Sequence, residues 1–134
     1  MDQPDVEEAY RSYLATLNER RFADLLHSVH DRLVYNDRSI TRDDYVAMLE
    51  ADVAAIPDLY FEIDLLVVDG GTVACRLWFD CTPRTDYFGL SVAGRHLGFA
   101  EHVFYAMDAG RIRRVWSLID TAAIAEQARR VAGP

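Results

Sequence analysis

The sequence has no long apolar run, and nothing in it approaches the roughly 20 residues that a membrane-crossing helix requires. It has no basic run either. The densest basic steps are the pairs Arg20–Arg21, Arg113–Arg114 and Arg129–Arg130, in a chain of formal net charge −8. Such a chain repels phosphate backbones and anionic headgroups, which argues against nucleic acid and membrane as partners. The opening stretch MDQPDVEEAY is acidic and polar, so no signal or transit peptide is expected and a cytoplasmic location is. Cysteine is scarce: Cys75 and Cys81 are the two present. Both fall in one expected strand, where six residues span about 20 Å, too far for a disulfide. They are expected as reduced, buried thiols. No metal is expected at them, since no Cys or His stands at ligand spacing nearby. His27 and His30 lie one helical turn apart near Asp24 and Asp31, which reads more simply as a solvated helix face than as a metal site. No repeat, linker or low-complexity segment is visible. One domain is expected over residues 1–134, ordered from about 4 to 131.

What is present is an apolar half, 51% of the residues, enough for a core of its own. Val6, Ala9, Tyr10, Tyr13, Leu14 and Leu17 recur at helical spacing and predict a helix over 4–18. Phe22, Leu25, Leu26 and Val29 predict a second, shorter helix. Leu33–Tyr35 reads as a short strand. Thr41-Arg42-Asp43-Asp44 resembles a capping box with Asp in place of Glu or Gln. It opens a third helix that carries Tyr45, Met48, Leu49, Asp52, Val53 and Ile56 on one face and stops at Pro57. Period-two alternation then predicts strands over 59–65, 72–81, 95–107 and 111–119, with hairpins at Asp69-Gly70-Gly71 and Asp108-Ala109-Gly110. Residues 82–94 read as a loop with a prominent Tyr87-Phe88. Asp120 suits the cap of a last helix over 121–131. Helices segregated from hairpin-linked strands give an α+β fold, with helices on one face of a curved antiparallel sheet and room between them for a pocket.

The segments LVYNDRSITRDDYVAMLEADVAAIPDLYFEID, FGLSVAGRHLGF and DAGRIRRVWSLID resemble the SnoaL-like polyketide cyclases. These are a branch of the nuclear transport factor 2-like, ketosteroid isomerase-like superfamily, and the resemblance spans about residues 7 to 125. It implies a cone in which the sheet wraps three N-terminal helices around an internal pocket, with a C-terminal helix besides. It also implies a cofactor-independent enzyme that closes a ring by intramolecular aldol chemistry on a hydrophobic polyketide-type molecule, or a related isomerisation or dehydration, and a homodimer packed through the open sheet face. An epoxide-hydrolase- or epoxide-cyclase-like member, or a non-catalytic binding protein, are the alternatives.

Carried over residue by residue, the resemblance names candidate catalytic groups. Asn36 falls where the cyclases place a pocket Asn, and an amide can donate to a substrate oxygen. Tyr13 falls where isomerase-like members hold an oxyanion-donating Tyr, with Tyr10 next on the same face. His102 falls at a pocket position if it faces inward, which would bring Ala100 and Phe104 inward too. A pocket His can shuttle a proton near neutrality. The opposite register would instead put Glu101 inside as the titrating group. The cyclase acid position is occupied by Ser117, which cannot act as an ordinary acid or base near pH 7. Asp120 is the remaining carboxylate of that strand end, although it also reads as a helix cap. Val115 shares the inward stripe with Ser117. Ser117, Val115, Tyr10, Trp78, Phe104 and Phe88 are the expected substrate-binding residues. Arg76, Trp78 and Asp80 share one strand face, either pocket or dimer surface. An epoxide-activating site would need a second buried carboxylate such as Asp80 or Glu101.

Overall fold

A computed structural model describes residues 3–130. Its elements in chain order are α1 (Gln3–Asn18), a 3₁₀ segment (Phe22–His27), β1 (Val29–Tyr35), β2 (Arg38–Thr41), α2 (Arg42–Ala55), β3 (Glu62–Asp69), β4 (Thr72–Cys81), β5 (Leu97–Asp108), β6 (Arg111–Ile119) and α3 (Thr121–Arg129). The six strands form one curved sheet in the order β2-β1-β6-β5-β4-β3. The helix expected to reach residue 131 ends its described part at Arg129, and residue 131 lies outside the described residues.

The local chemistry explains these boundaries. Val6, Tyr10, Tyr13, Leu14 and Leu17 bury one stripe of α1, as a 3.6-residue period requires. The capping box at the start of α2 is complete: the Thr41 hydroxyl accepts from the Asp44 amide, and the Asp44 carboxylate accepts from the Thr41 amide. Period two then governs β4 and β5. Val73, Cys75, Leu77, Phe79 and Cys81 are buried, as are Leu97, Phe99, Val103, Tyr105 and Met107 on the partner strand. Their register is unbroken from Thr72↔Ala106 to Cys81↔Leu97. Both cysteines are free and buried, and burial pushes the Cys81 thiol up to about 12.

Four expectations change. The sheet is mixed, because β1 runs parallel to β6. The second helix is one short 3₁₀ segment that buries Leu25, and Val29 has left it to pair with Ile112. Strand β3 starts at Glu62 rather than at 59 because Asn18 captures Phe61. Its side-chain amide donates to the Phe61 carbonyl at 3.2 Å and accepts from the Phe61 amide at 2.7 Å. Strand β5 starts at Leu97 rather than at 95 because Arg95 serves α3, donating to the carbonyls of Gln127 at 2.6 Å and Ala128 at 2.7 Å. Those carbonyls lie at a helix C-terminus, where a cation is favourable.

Replacing Thr41 with Ala removes half of the capping box. It should cost about 1 kcal/mol of stability, read as a lower urea midpoint at unchanged slope, and a Ser replacement should recover most of the loss.

Candidate functional site

A largely enclosed chamber of about 60 Å³ lies between α1, α2 and the concave face of the sheet. Five tyrosines line it: Tyr13 from α1, Tyr35 from β1, Tyr45 from α2, Tyr87 from the loop before β5, and Tyr105 from β5. Two carboxylates share it, Asp52 from α2 and Glu101 from β5. Apolar side chains, among them Leu49, Phe61, Phe79, Phe99 and Val115, complete the wall. No arginine or histidine is among the lining residues.

Glu101 is the centre of this arrangement. The Ser117 hydroxyl donates to its Oε2 at 2.5 Å. Burial drives the Glu101 carboxyl above its usual range, the Ser117 hydrogen bond pulls it partly back, and the nearby Asp52 charge pushes it up again. Desolvation dominates because a carboxylate out of water loses hydration that one hydroxyl cannot replace. The Asp52 carboxyl is raised to about 6, also by burial. Above Glu101, the hydroxyls of Tyr13 and Tyr45 share a 2.6 Å hydrogen bond. One hydroxyl of such a pair donates to the other, and the Tyr13 hydroxyl also interacts with that of Tyr105, so the three phenols form one cluster of hydroxyls at the chamber. Burial holds both phenols well above their usual value, so both are neutral donors near pH 7.

A wider vestibule of about 400 Å³ adjoins the chamber and is lined by Asn36, Phe88, Ser117, Leu118 and Thr121, together with Tyr35, Met48, Asp52, Tyr87 and Ile119. The last five line both spaces and form the neck between them. Phe88 stands half exposed at this mouth with φ 54.

The sequence-predicted residues divide around this geometry. Tyr13 and Val115 line the chamber, and Ser117 lines the vestibule and holds Glu101. Phe88 sits at the mouth as expected. His102 does not enter. On β5 the burial alternates so that Phe99, Glu101, Val103 and Tyr105 point in, while His102 and Phe104 are exposed on the outer face. The inward register expected for His102, Ala100 and Phe104 is therefore reversed, and Glu101 stands where His102 was expected. The cause is the unbroken pairing with β4, which sets His102 against Arg76 and Glu101 against the buried Leu77. On that outer face Arg76 donates to His102 Nε2 at 3.2 Å and pairs with Asp64. Trp78 is on the same outer face, under the Arg76 guanidinium at 5.8 Å, and Asp80 is exposed and bonded to His96. Asn36 does not present its amide to the chamber, because that amide donates to the Ser117 carbonyl and accepts from the Ser117 amide. Its φ of 45 marks the turn into β2. Asp120 caps α3 by accepting from the Ala123 amide and lines neither space. Tyr10 is buried against Tyr105 and Tyr13 without reaching the chamber. His30 bonds the Asp108 carbonyl, and no metal-holding group occurs among the described residues.

The chamber is therefore lined by Glu101, which the sequence reading held as the alternative to His102, and by Asp52, Tyr45, Tyr35 and Tyr105, which it did not single out. For Glu101 the signal was in the sequence: the Phe99, Val103, Tyr105 and Met107 parity of β5 already placed it inside.

The family comparison agrees with the architecture. A model of the SnoaL-like polyketide cyclase family matches residues 7–128. The chain belongs to this family. A crystal structure of a SnoaL-like polyketide cyclase from Agrobacterium tumefaciens superposes with a TM-score of 0.90 at 42% identity, covering 95% of this chain and 98% of that one. TsrD from Streptomyces laurentii superposes at 0.83 with 20% identity, over 96% and 97% of the two chains. A candidate ketosteroid isomerase from Kribbella flavida superposes at 0.66 with 19% identity, over 88% and 79%. The last two share the fold. No curated protein sequence matches. Among the described residues no helix is long and apolar enough to cross a membrane.

The raised Asp52 carboxyl has a sign that can be tested. The folded state holds this proton more tightly than the unfolded chain, whose value is about 3.9. The stability it contributes is complete below that value and is lost as pH rises through about 6. Asp52→Asn should therefore raise the melting temperature at about pH 8 and leave it nearly unchanged at about pH 4, as thermal unfolding across pH would show.

Proposed function

We propose that this SnoaL-like protein is a cofactor-independent enzyme that forms and quenches an enolate in a hydrophobic, polyketide-type small molecule. The outcome is an intramolecular aldol cyclisation or a related isomerisation or dehydration. The observation that carries the reading is Glu101, a desolvated carboxylate in a closed chamber beside neutral phenol donors. The reacting carbonyl sits in the chamber and the apolar body of the substrate lies in the vestibule. Glu101 removes the proton α to the carbonyl, a task suited to a carboxylate whose basicity burial has raised. The electron pair moves onto the carbonyl oxygen, which takes a hydrogen bond from a phenol of the Tyr13–Tyr45–Tyr105 cluster. Donors already fixed in a water-poor site stabilise that oxyanion without reorganising. The enolate carbon then attacks a second carbonyl of the same molecule, and protonated Glu101 returns its proton to the new alkoxide. Ser117 keeps the Glu101 carboxylate aimed, so that the acid expected at Ser117 has its counterpart on the neighbouring strand.

The test is hydrogen–deuterium exchange at the α-carbon of small cyclic ketones such as 2-tetralone, followed by NMR. Wild-type protein should accelerate exchange, Glu101→Gln should slow it by about 10²–10⁴-fold, and His102→Ala should leave it unchanged. Equal rates for wild type and Glu101→Gln would refute the role of Glu101.

A second reading draws on Asp52. Two carboxylates in one chamber could activate water against an epoxide, with one as base and the other as acid. No arginine lines the chamber to orient such a pair, which favours the enolate reading. Solvent ¹⁸O appearing in a diol product would reverse that preference.

We further propose a homodimer through the open sheet face. Leu65 on β3, Phe104 on β5 and Leu118 on β6 point outward with 60%, 51% and 70% of their surface exposed, and large apolar side chains gathered on one sheet face mark an interaction surface. Phe104→Lys should shift sedimentation from dimer to monomer. An unchanged dimer would place the interface elsewhere.

A further inference from the structure

The neck between chamber and vestibule consists of Tyr35, Met48, Asp52, Tyr87 and Ile119. Asp52 is the one charged residue of the five. Its carboxylate has no hydrogen bond or ion pair among the described residues. No lysine, arginine or histidine lines either space, in a chain of net charge −8. The groups facing Asp52 are Glu101 from β5, Tyr35 from β1 and Tyr87 from the loop, and each feels its charge as an added cost of ionising. All of these are acids, so no described group lining the two spaces neutralises the carboxylate.

A carboxylate partly withdrawn from water and left without a cation is costly. Two tyrosine rings and a methionine beside it form the surroundings in which an ammonium group is bound through ring faces and sulfur contacts. We infer that the substrate carries a basic nitrogen, protonated when bound, that sits in the neck against Asp52 between Tyr35 and Tyr87. The inference rests on the reading of the chamber as the substrate site and narrows the substrate class to amine-bearing molecules. The carbonyl that enolises would lie on the chamber side of that nitrogen and the apolar body on the vestibule side. The same arrangement rejects carboxylates and phosphate esters, which would meet Asp52 and Glu101 with no compensating cation.

The probes are 2-phenylethylamine, 2-phenylethanol and phenylacetate, matched in shape and different in charge, titrated calorimetrically into the wild-type protein near pH 7.5. The amine should bind about tenfold more tightly than the alcohol, and phenylacetate should bind least. Asp52→Asn should abolish the preference while keeping the affinity for the alcohol. Tyr87→Leu should weaken the amine more than the alcohol. In the wild type the preference should fade as the pH drops below about 6. An alcohol that binds as well as the amine, a preference unchanged in Asp52→Asn, or no amine binding at millimolar concentration would each overturn the inference. Any of these results together with loss of ketone exchange in Glu101→Gln would leave the enolate reading standing. Preserved exchange in Glu101→Gln would sink that reading instead.

Discussion

The hydrogen bond from Ser117 to Glu101 is the contact on which the rest of the site depends. It joins β6 to β5 across the concave face, and among the described residues it is the one side-chain hydrogen bond of a carboxylate otherwise surrounded by rings. A buried carboxylate with no donor would repel its surroundings or take up a proton permanently. With one donor its carboxyl is pulled partly back from the rise that burial causes. Asn36 supports the same point from behind, since its amide clamps both backbone groups of Ser117. A turn residue of the β1–β2 hairpin thereby fixes the strand from which the hydroxyl is presented. The chain of support runs from Asn36 to Ser117 to Glu101, and each link is a short polar contact.

Parity converts this contact into a site. In a strand, successive side chains take opposite faces, so the β4–β5 register decides in one stroke that Glu101 enters and His102 does not. A shift of one residue would exchange them and expose Phe99, Val103 and Tyr105 to solvent, which is why the register is strongly specified. The two faces of β5 then serve different ends. The inner face holds the titrating carboxylate among phenols. The outer face carries Phe104 and His102, with Arg76 and Asp64 beside them, and is the face proposed above to meet a second copy of the chain.

Most of the fold was legible in the residues. Periodicity located α1, α2, β4 and β6, and the Thr41–Asp44 capping box was visible as a motif. The elements that shifted did so through long-range contacts that a local pattern does not contain. Asn18 reaches 43 positions along the chain to hold Phe61, and Arg95 reaches α3. The parallel pairing of β1 with β6 likewise joins residues far apart in sequence. The site was less legible. Correspondence with related enzymes pointed to His102 and Asp120, whereas the apolar parity of β5 pointed to Glu101. The orientation of the side chains follows the apolar parity, with Glu101 inward and His102 outward. Asp52 was legible as a member of the apolar face of α2, but only the fold shows that this face meets the neck.

The most direct measurement of the account is a carbon NMR titration of ¹³C-labelled glutamate carboxyls in the wild type, in Glu101→Gln and in Ser117→Ala. The account predicts one glutamate titrating above the ordinary range of about 4.3, absent from Glu101→Gln and moved further up in Ser117→Ala, where the stabilising hydroxyl is gone. If every glutamate titrates at its ordinary value, or if Ser117→Ala leaves the elevated carboxyl in place, Glu101 is not the desolvated group on which this description rests.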